Sequence, residues 1–84
     1  MEIKSYVLFT TPFCRGCKPV KEFLSTANIK GDHIDASSDE GSEIAVKYNV
    51  QGVPTIIFLD GQNNEISRVH TLADVKELLN EVLR

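Results

Sequence analysis

The pair Cys14-Arg15-Gly16-Cys17, set where an apolar run gives way to a helical pattern, constrains this chain more than any other feature. These are the only two cysteines present. A disulfide across so short a loop removes little freedom from the unfolded chain, so structural stapling is a poor account of it. A thiolate at a helix start, by contrast, is stabilised by unpaired backbone N–H groups and by the positive end of the helix dipole, and it can attack another disulfide at neutral pH. The spacing points to reversible thiol–disulfide exchange. A zinc half-site is the leading alternative, but a closed structural site needs four ligands. Only His33 and His70 remain as further good donors, so redox chemistry is preferred and no metal is expected.

The hydrophobic period then changes in an orderly way along the chain. Tyr6-Val7-Leu8-Phe9-Thr10, bounded by Thr11-Pro12, reads as a buried central strand that delivers Cys14 to the sheet edge. Val20, Phe23, Leu24 and Ala27 fall on one helical face, and Asn28 supplies a stop signal. Pro19 lacks an N–H, so this helix either begins late, near Lys18, or kinks there. His33-Ile34-Asp35-Ala36 is a second strand, made parallel to the first by the helical connection. Ser38, Asp39 and Ser42 compete to cap a short helix around Glu43 to Tyr48. Val53 to Leu59 is the most apolar run, and Asp60-Gly61-Gln62-Asn63-Asn64 turns it into the alternating Glu65 to Val69, a hairpin. Thr71 with Asp74 resembles a capping box with the shorter acid, ahead of an amphipathic face formed by Leu72, Val75, Leu78, Leu79 and Val82. The order is β-α-β-α-β-β-α.

At 84 residues the chain is expected to form one compact domain, 1–84, near the lower size at which a core suffices without staples. A net charge of −3 with nine dispersed Lys and Arg shows neither a nucleic-acid footprint nor a polybasic membrane patch. Met1 to Ser5 lacks the features of a signal peptide and no apolar run approaches a membrane span, so a cytoplasmic protein is expected. In that reducing compartment catalytic disulfides are transient and structural ones rare.

Thr11-Pro12-Phe13-Cys14-Arg15-Gly16-Cys17-Lys18, followed at a distance by Val50-Gln51-Gly52-Val53-Pro54-Thr55, is similar to the two signatures shared by thioredoxins and glutaredoxins, in the same order. The resemblance covers essentially the whole chain. It implies a minimal α/β thioredoxin fold, a four-stranded mixed sheet flanked by three helices, with the Val53–Pro54 bond cis and facing the cysteines. A turn or edge-strand proline would be the default reading of Pro54 alone.

The resemblance further implies that Cys14 is the attacking thiolate and Cys17 the resolving thiol. Arg15 and Lys18 add positive charge that favours the ionised form of Cys14. Arg15-Gly16 replaces the Gly-Pro of typical thioredoxins and the Pro-Tyr of typical glutaredoxins, which leaves a potential anywhere between roughly −270 and −200 mV. Val53 would pair in β fashion with an extended partner segment, beside Pro54 and Thr55. Phe13 divides evenly between core and groove. His70 stands where the relatives carry glycine in the partner-facing loop; it either shapes the groove and titrates near neutral pH or is an exposed residue beside a cap. His33 reads as structural or solvent-facing, and Asp35 as a turn residue.

Departures from the two subfamilies shape the functional expectation. The central-strand aspartate of thioredoxins is Leu8 here, so deprotonation of Cys17 relies on water, another group or the partner. Phe13 replaces the usual tryptophan, and the extra N-terminal strand and helix of thioredoxins do not fit in this length. The Gly-Gly-Asp pattern with which glutaredoxins bind glutathione is not matched by Val69-His70-Thr71-Leu72. The chain most resembles small glutaredoxin-like proteins with thioredoxin-like activity, some of which donate electrons to ribonucleotide reductase. The expected function is a monomeric protein dithiol–disulfide oxidoreductase with no bound cofactor, recharged from NADPH by a thioredoxin reductase. The alternatives are a glutathione-recharged glutaredoxin and a metal or iron–sulfur carrier sharing a cluster through Cys14.

Overall fold

The computed structural model describes residues 3–82, with side chains from Ile3 to Asn80; Met1, Glu2 and the Val82 side chain lie outside the described part. Seven elements follow in order: β1 (Ser5–Thr10), α1 (Cys17–Thr26), β2 (Lys30–Asp35), α2 (Asp39–Lys47), β3 (Thr55–Leu59), β4 (Glu65–Val69) and α3 (Leu72–Val82). The strands form one sheet in the order β2-β1-β3-β4. β2 runs parallel to β1, while β3 and β4 are antiparallel to their neighbours.

The two central strands are apolar on both faces because both faces are covered. Leu8, Ile56 and Phe58 face Val20 and Leu24 of α1 and Val75 and Leu79 of α3. Val7, Phe9, Ile57 and Leu59 face Ala45 of α2. Every residue of β3 is buried. β2 is a different kind of strand: only Ile34 is partly buried, and the strand is held by backbone pairing with β1 in a register that sets Leu8 beside His33 and Thr10 beside Asp35. It is Lys30–Asp35 rather than the expected His33 to Ala36, since an exposed edge strand has no hydrophobic alternation to mark its limits.

Three further boundaries differ from expectation. α1 begins at Cys17 and ends at Thr26, with Ala27 as its C-cap. Pro19 therefore sits in the first turn, where the missing N–H would have no intrahelical partner, and the helix starts one residue before Lys18. β3 begins at Thr55, after the proline. α2 opens at Asp39 rather than Glu43, capped by Ser38, whose Oγ accepts the Gly41 N–H at 2.9 Å. Gly41 lies inside this helix and is required there: a Cβ would run into the Asp35 carbonyl and the Ser38 hydroxyl. At the far end of α2 the Arg68 guanidinium donates to the carbonyls of Tyr48 and Asn49 and pairs with Glu65. That clamp ties the helix end to β4. α3 starts as its cap implied, with the Thr71 hydroxyl accepting the Asp74 N–H at 3.1 Å.

Candidate active site

β1 ends at Thr10 and the chain turns through Thr11 to Gly16 before α1. The Cys14 N–H donates to the Thr11 carbonyl at 3.2 Å and the Cys17 N–H to the Cys14 carbonyl at 3.4 Å. These two bonds wind the turn tightly enough to set the cysteine Cα atoms 5.4 Å apart, and the sulfurs are joined as a disulfide. Cys14 lies in the turn, three residues before the first helical residue, so the helix start belongs to Cys17 and not to Cys14 as expected. Cys14 is half-buried, while Cys17 is 5% exposed and belongs to the core.

The start of α1 is electrostatically open. Gly16 is its N-cap and provides no side-chain hydrogen bond, and the first turn carries no acidic residue. Arg15, Gly16 and Lys18 are exposed. Arg15 and Lys18 thus bring two positive charges to the turn that carries the disulfide, while of the first helical amides that of Cys17 is bonded to Cys14 and Pro19 has none.

In the loop before β3 the Val53–Pro54 peptide bond is cis. Val53 and Pro54 are half-buried and Thr55 is completely buried. The Thr55 hydroxyl donates its hydrogen to the Gly52 carbonyl at 2.6 Å. Toward His70 Nδ1, 3.2 Å away, the same oxygen must accept, so Nδ1 carries the proton. His70 itself is exposed, immediately after β4, and pins the proline loop by this contact. Phe13 is 91% exposed, which removes it from the core and leaves it as an apolar side chain presented beside the cysteines.

Two recesses flank the disulfide corner. One, of about 320 Å³, joins Cys14, Cys17 and Lys18 to Thr10, Lys21, His33 and Asp35. The other, of about 260 Å³, sets Val53 and Gly52 against Ala36, Ala45 and Val50. The first contains residues that sequence reasoning did not connect to the cysteines. His33 is paired through Nε2 with the Thr10 hydroxyl at 2.5 Å, and burial together with Lys21 lowers its pKa below the usual histidine value despite Asp35. Asp35 ends β2 as a turn residue, its carboxylate accepting from the Ser37 N–H and hydroxyl, which hold its pKa down. Among the described residues no group of three or more His, Cys, Asp or Glu is placed to hold a metal ion. No described helix is long and apolar enough to cross a membrane.

The family model described as Glutaredoxin matches residues 6–63, from β1 through the proline loop into the hairpin turn. The chain belongs to the glutaredoxin family. Over 57 residues it is 35% identical to the SPbeta prophage-derived thioredoxin-like protein YosR of Bacillus subtilis (strain 168), a match covering 68% of this chain and 69% of that protein. Thioredoxin O2 from Arabidopsis thaliana in its oxidized state superposes with a TM-score of 0.81 over 98% of this chain and 76% of its own, at 20% identity, which speaks to the fold alone. Thioredoxin 1 of Thermosipho africanus TCF52B gives a TM-score of 0.78 at 26% identity, covering 95% of this chain and 91% of that one. This family member has a minimal thioredoxin fold and is a thiol–disulfide oxidoreductase whose reactive group is the Cys14–Cys17 disulfide.

Proposed function

We propose that the chain reduces disulfides in partner proteins, with Cys14 forming the mixed disulfide and Cys17 resolving it. The unequal exposure of the two sulfurs carries this reading: Cys14 is within reach of a partner and Cys17 is enclosed. Cys14 thiolate attacks one partner sulfur and releases the other; Cys17 then attacks Cys14, closes the internal disulfide and frees the reduced partner. Arg15, Lys18 and the open helix start, with Gly16 leaving the approach clear, favour the Cys14 thiolate. Phe13, Val53 and Pro54 form the apolar rim on which an extended partner segment lies, its backbone pairing with Val53 in the manner of an added strand. Thr55 and His70 hold that loop.

The electron source proposed is NADPH through a thioredoxin reductase, with ribonucleotide reductase among the disulfide-bearing acceptors to be tried. The family match favours a second reading, recharging by glutathione. Comparing the rate at which the oxidised protein regains thiols from NADPH and thioredoxin reductase with the rate from glutathione and glutathione reductase separates the two. Faster recovery with glutathione would overturn the first reading. The cysteine roles are tested by substitution: Cys17→Ser is expected to accumulate a mixed disulfide through Cys14, and Cys14→Ser to lose exchange. Accumulation by the second variant instead would reverse the assignment.

A further inference from the structure

Resolution by Cys17 requires its thiolate, yet Cys17 is 5% exposed, and enclosure in apolar surroundings opposes ionisation. A base must take that proton. The recess behind the disulfide brings together four side chains able to influence it besides the cysteines and Thr10: Lys18 and Lys21 from α1, and His33 and Asp35 from β2. The two ammonium groups have no acceptor lone pair. The Asp35 carboxylate is occupied by Ser37 and held as a weak base. Glu40 of α2 shares with His33 a second recess whose lining includes neither cysteine. His33 is the remaining group with a free lone pair at neutral pH, its pKa lowered by burial and by Lys21.

We propose that His33, through the Thr10 hydroxyl, accepts the Cys17 proton during resolution. This inference rests on the order of attack given above. In the neutral imidazole the Thr10 hydroxyl donates to Nε2; after proton transfer Nε2–H donates back to Thr10 Oγ1, so the 2.5 Å contact serves both states. Thr10 is 6% exposed and lines the same recess as Cys17, so its hydroxyl joins the wall that holds the enclosed thiol to an imidazole that is otherwise open to solvent. At about 320 Å³ the recess is large enough to admit water, with Thr10, His33 and Asp35 on its wall as hydrogen-bonding partners. In the step itself the Cys17 proton passes to His33, and the Cys17 sulfur forms a bond to Cys14 Sγ. The bond from Cys14 to the partner breaks, and its electron pair leaves on the partner sulfur, which is protonated from solvent. Two protein thiols are oxidised as the partner disulfide becomes two thiols. The depressed pKa of His33 agrees with this role, since it keeps the acceptor form present at neutral pH.

The reduced protein mixed with one equivalent of 5,5′-dithiobis(2-nitrobenzoate) releases one coloured thiolate on attack and a second on resolution, so the two steps are read separately. His33→Gln, which retains a hydrogen-bonding group for Thr10, is expected to leave the first phase within about twofold. It should slow the second about ten- to a hundredfold at pH 7, within the usual range of a lost general base. Its second phase should lose the rise with pH through the histidine titration, added imidazole should restore part of the rate, and Thr10→Val should share the defect while Thr10→Ser does not. An unchanged second phase in His33→Gln, or equal slowing of both phases, overturns the proposal. Cys17→Ser should release one thiolate and stop; if Cys14→Ser does so instead, it is the order of attack that fails, independently of His33.

Discussion

The N-termini of α1 and α2 lie at the same end of the sheet, after β1 and β2, and are built in opposite ways. α2 is closed: Ser38 accepts the Gly41 N–H and donates to the Asp35 carbonyl, and Asp39 and Glu40 place negative charge in the first turn. α1 is open: Gly16 has no side chain to cap with, no acid follows, and the flanking charges are Arg15 and Lys18. The helix dipole is the same in both cases. In α2 it is neutralised by the chain's own groups and serves stability. In α1 no side chain of the first turn neutralises it. A helix start without a cap is therefore informative when a nucleophile stands beside it and a well-capped helix in the same molecule shows what an ordinary start looks like.

Substitutions can break that contrast. The largest effect is expected at Gly41: Gly41→Ala forces a Cβ against the Asp35 backbone and should destabilise by about 3 kcal/mol, the upper end of ordinary overpacking. Gly16→Ala, with nothing within 4 Å of the added carbon, should cost under about 1 kcal/mol. Denaturant midpoints of the oxidised proteins test the pair, and equal losses would sink the idea that one start is packed and the other open. Next, Ser38→Ala should lose about 1 kcal/mol while leaving the rate of disulfide exchange unaltered.

Lys18→Glu sharpens the comparison by giving α1 the acidic first turn of α2. Stability should rise by about 0.3–1 kcal/mol, whereas attack by the reduced protein on a small disulfide at pH 7 should slow about two- to fivefold as thiolate is lost. Movement of both quantities in one direction would contradict the argument. The smallest effect concerns Asp35, whose folded pKa is depressed by the Ser37 hydroxyl and N–H. Its contribution to stability is present above the ordinary carboxylate pKa and is lost as pH falls through the lower folded value. Asp35→Asn should accordingly flatten the acid limb of a stability profile. A limb of unchanged slope would count against this carboxylate ordering the entry to α2.

Sequence reading did best where local pattern and burial coincide. The Glu65–Val69 strand, the apolar face of α1 and the Thr71 cap follow from periodicity and hydrogen-bonding chemistry that act over a few residues. It did worst where a distant contact overrides local preference. Competing caps at Ser38, Asp39 and Ser42 left the start of the Asp39–Lys47 helix near Glu43, and only the close approach of Asp35 explains why glycine stands at position 41 inside it. Lys30-Gly31-Asp32 carries no strand pattern, since it pairs with Ser5, Tyr6 and Val7 through the backbone and leaves the place of a side chain at Gly31 to the Tyr6 ring. Phe13, divided between core and groove on sequence, is decided by a turn that points it into solvent.

By itself the sequence determined the order of elements and the chemistry of the cysteine pair, because spacing, turn residues and hydrophobic period are properties of neighbouring residues. The tertiary structure alone decided which cysteine is enclosed, that Thr55 joins Gly52 to His70, and that His33 meets Thr10 behind the disulfide. Those contacts span 15 and 23 residues for the two histidines, and they exist only because parallel pairing of β2 with β1 and antiparallel pairing of β3 with β4 bring remote side chains to one end of the sheet.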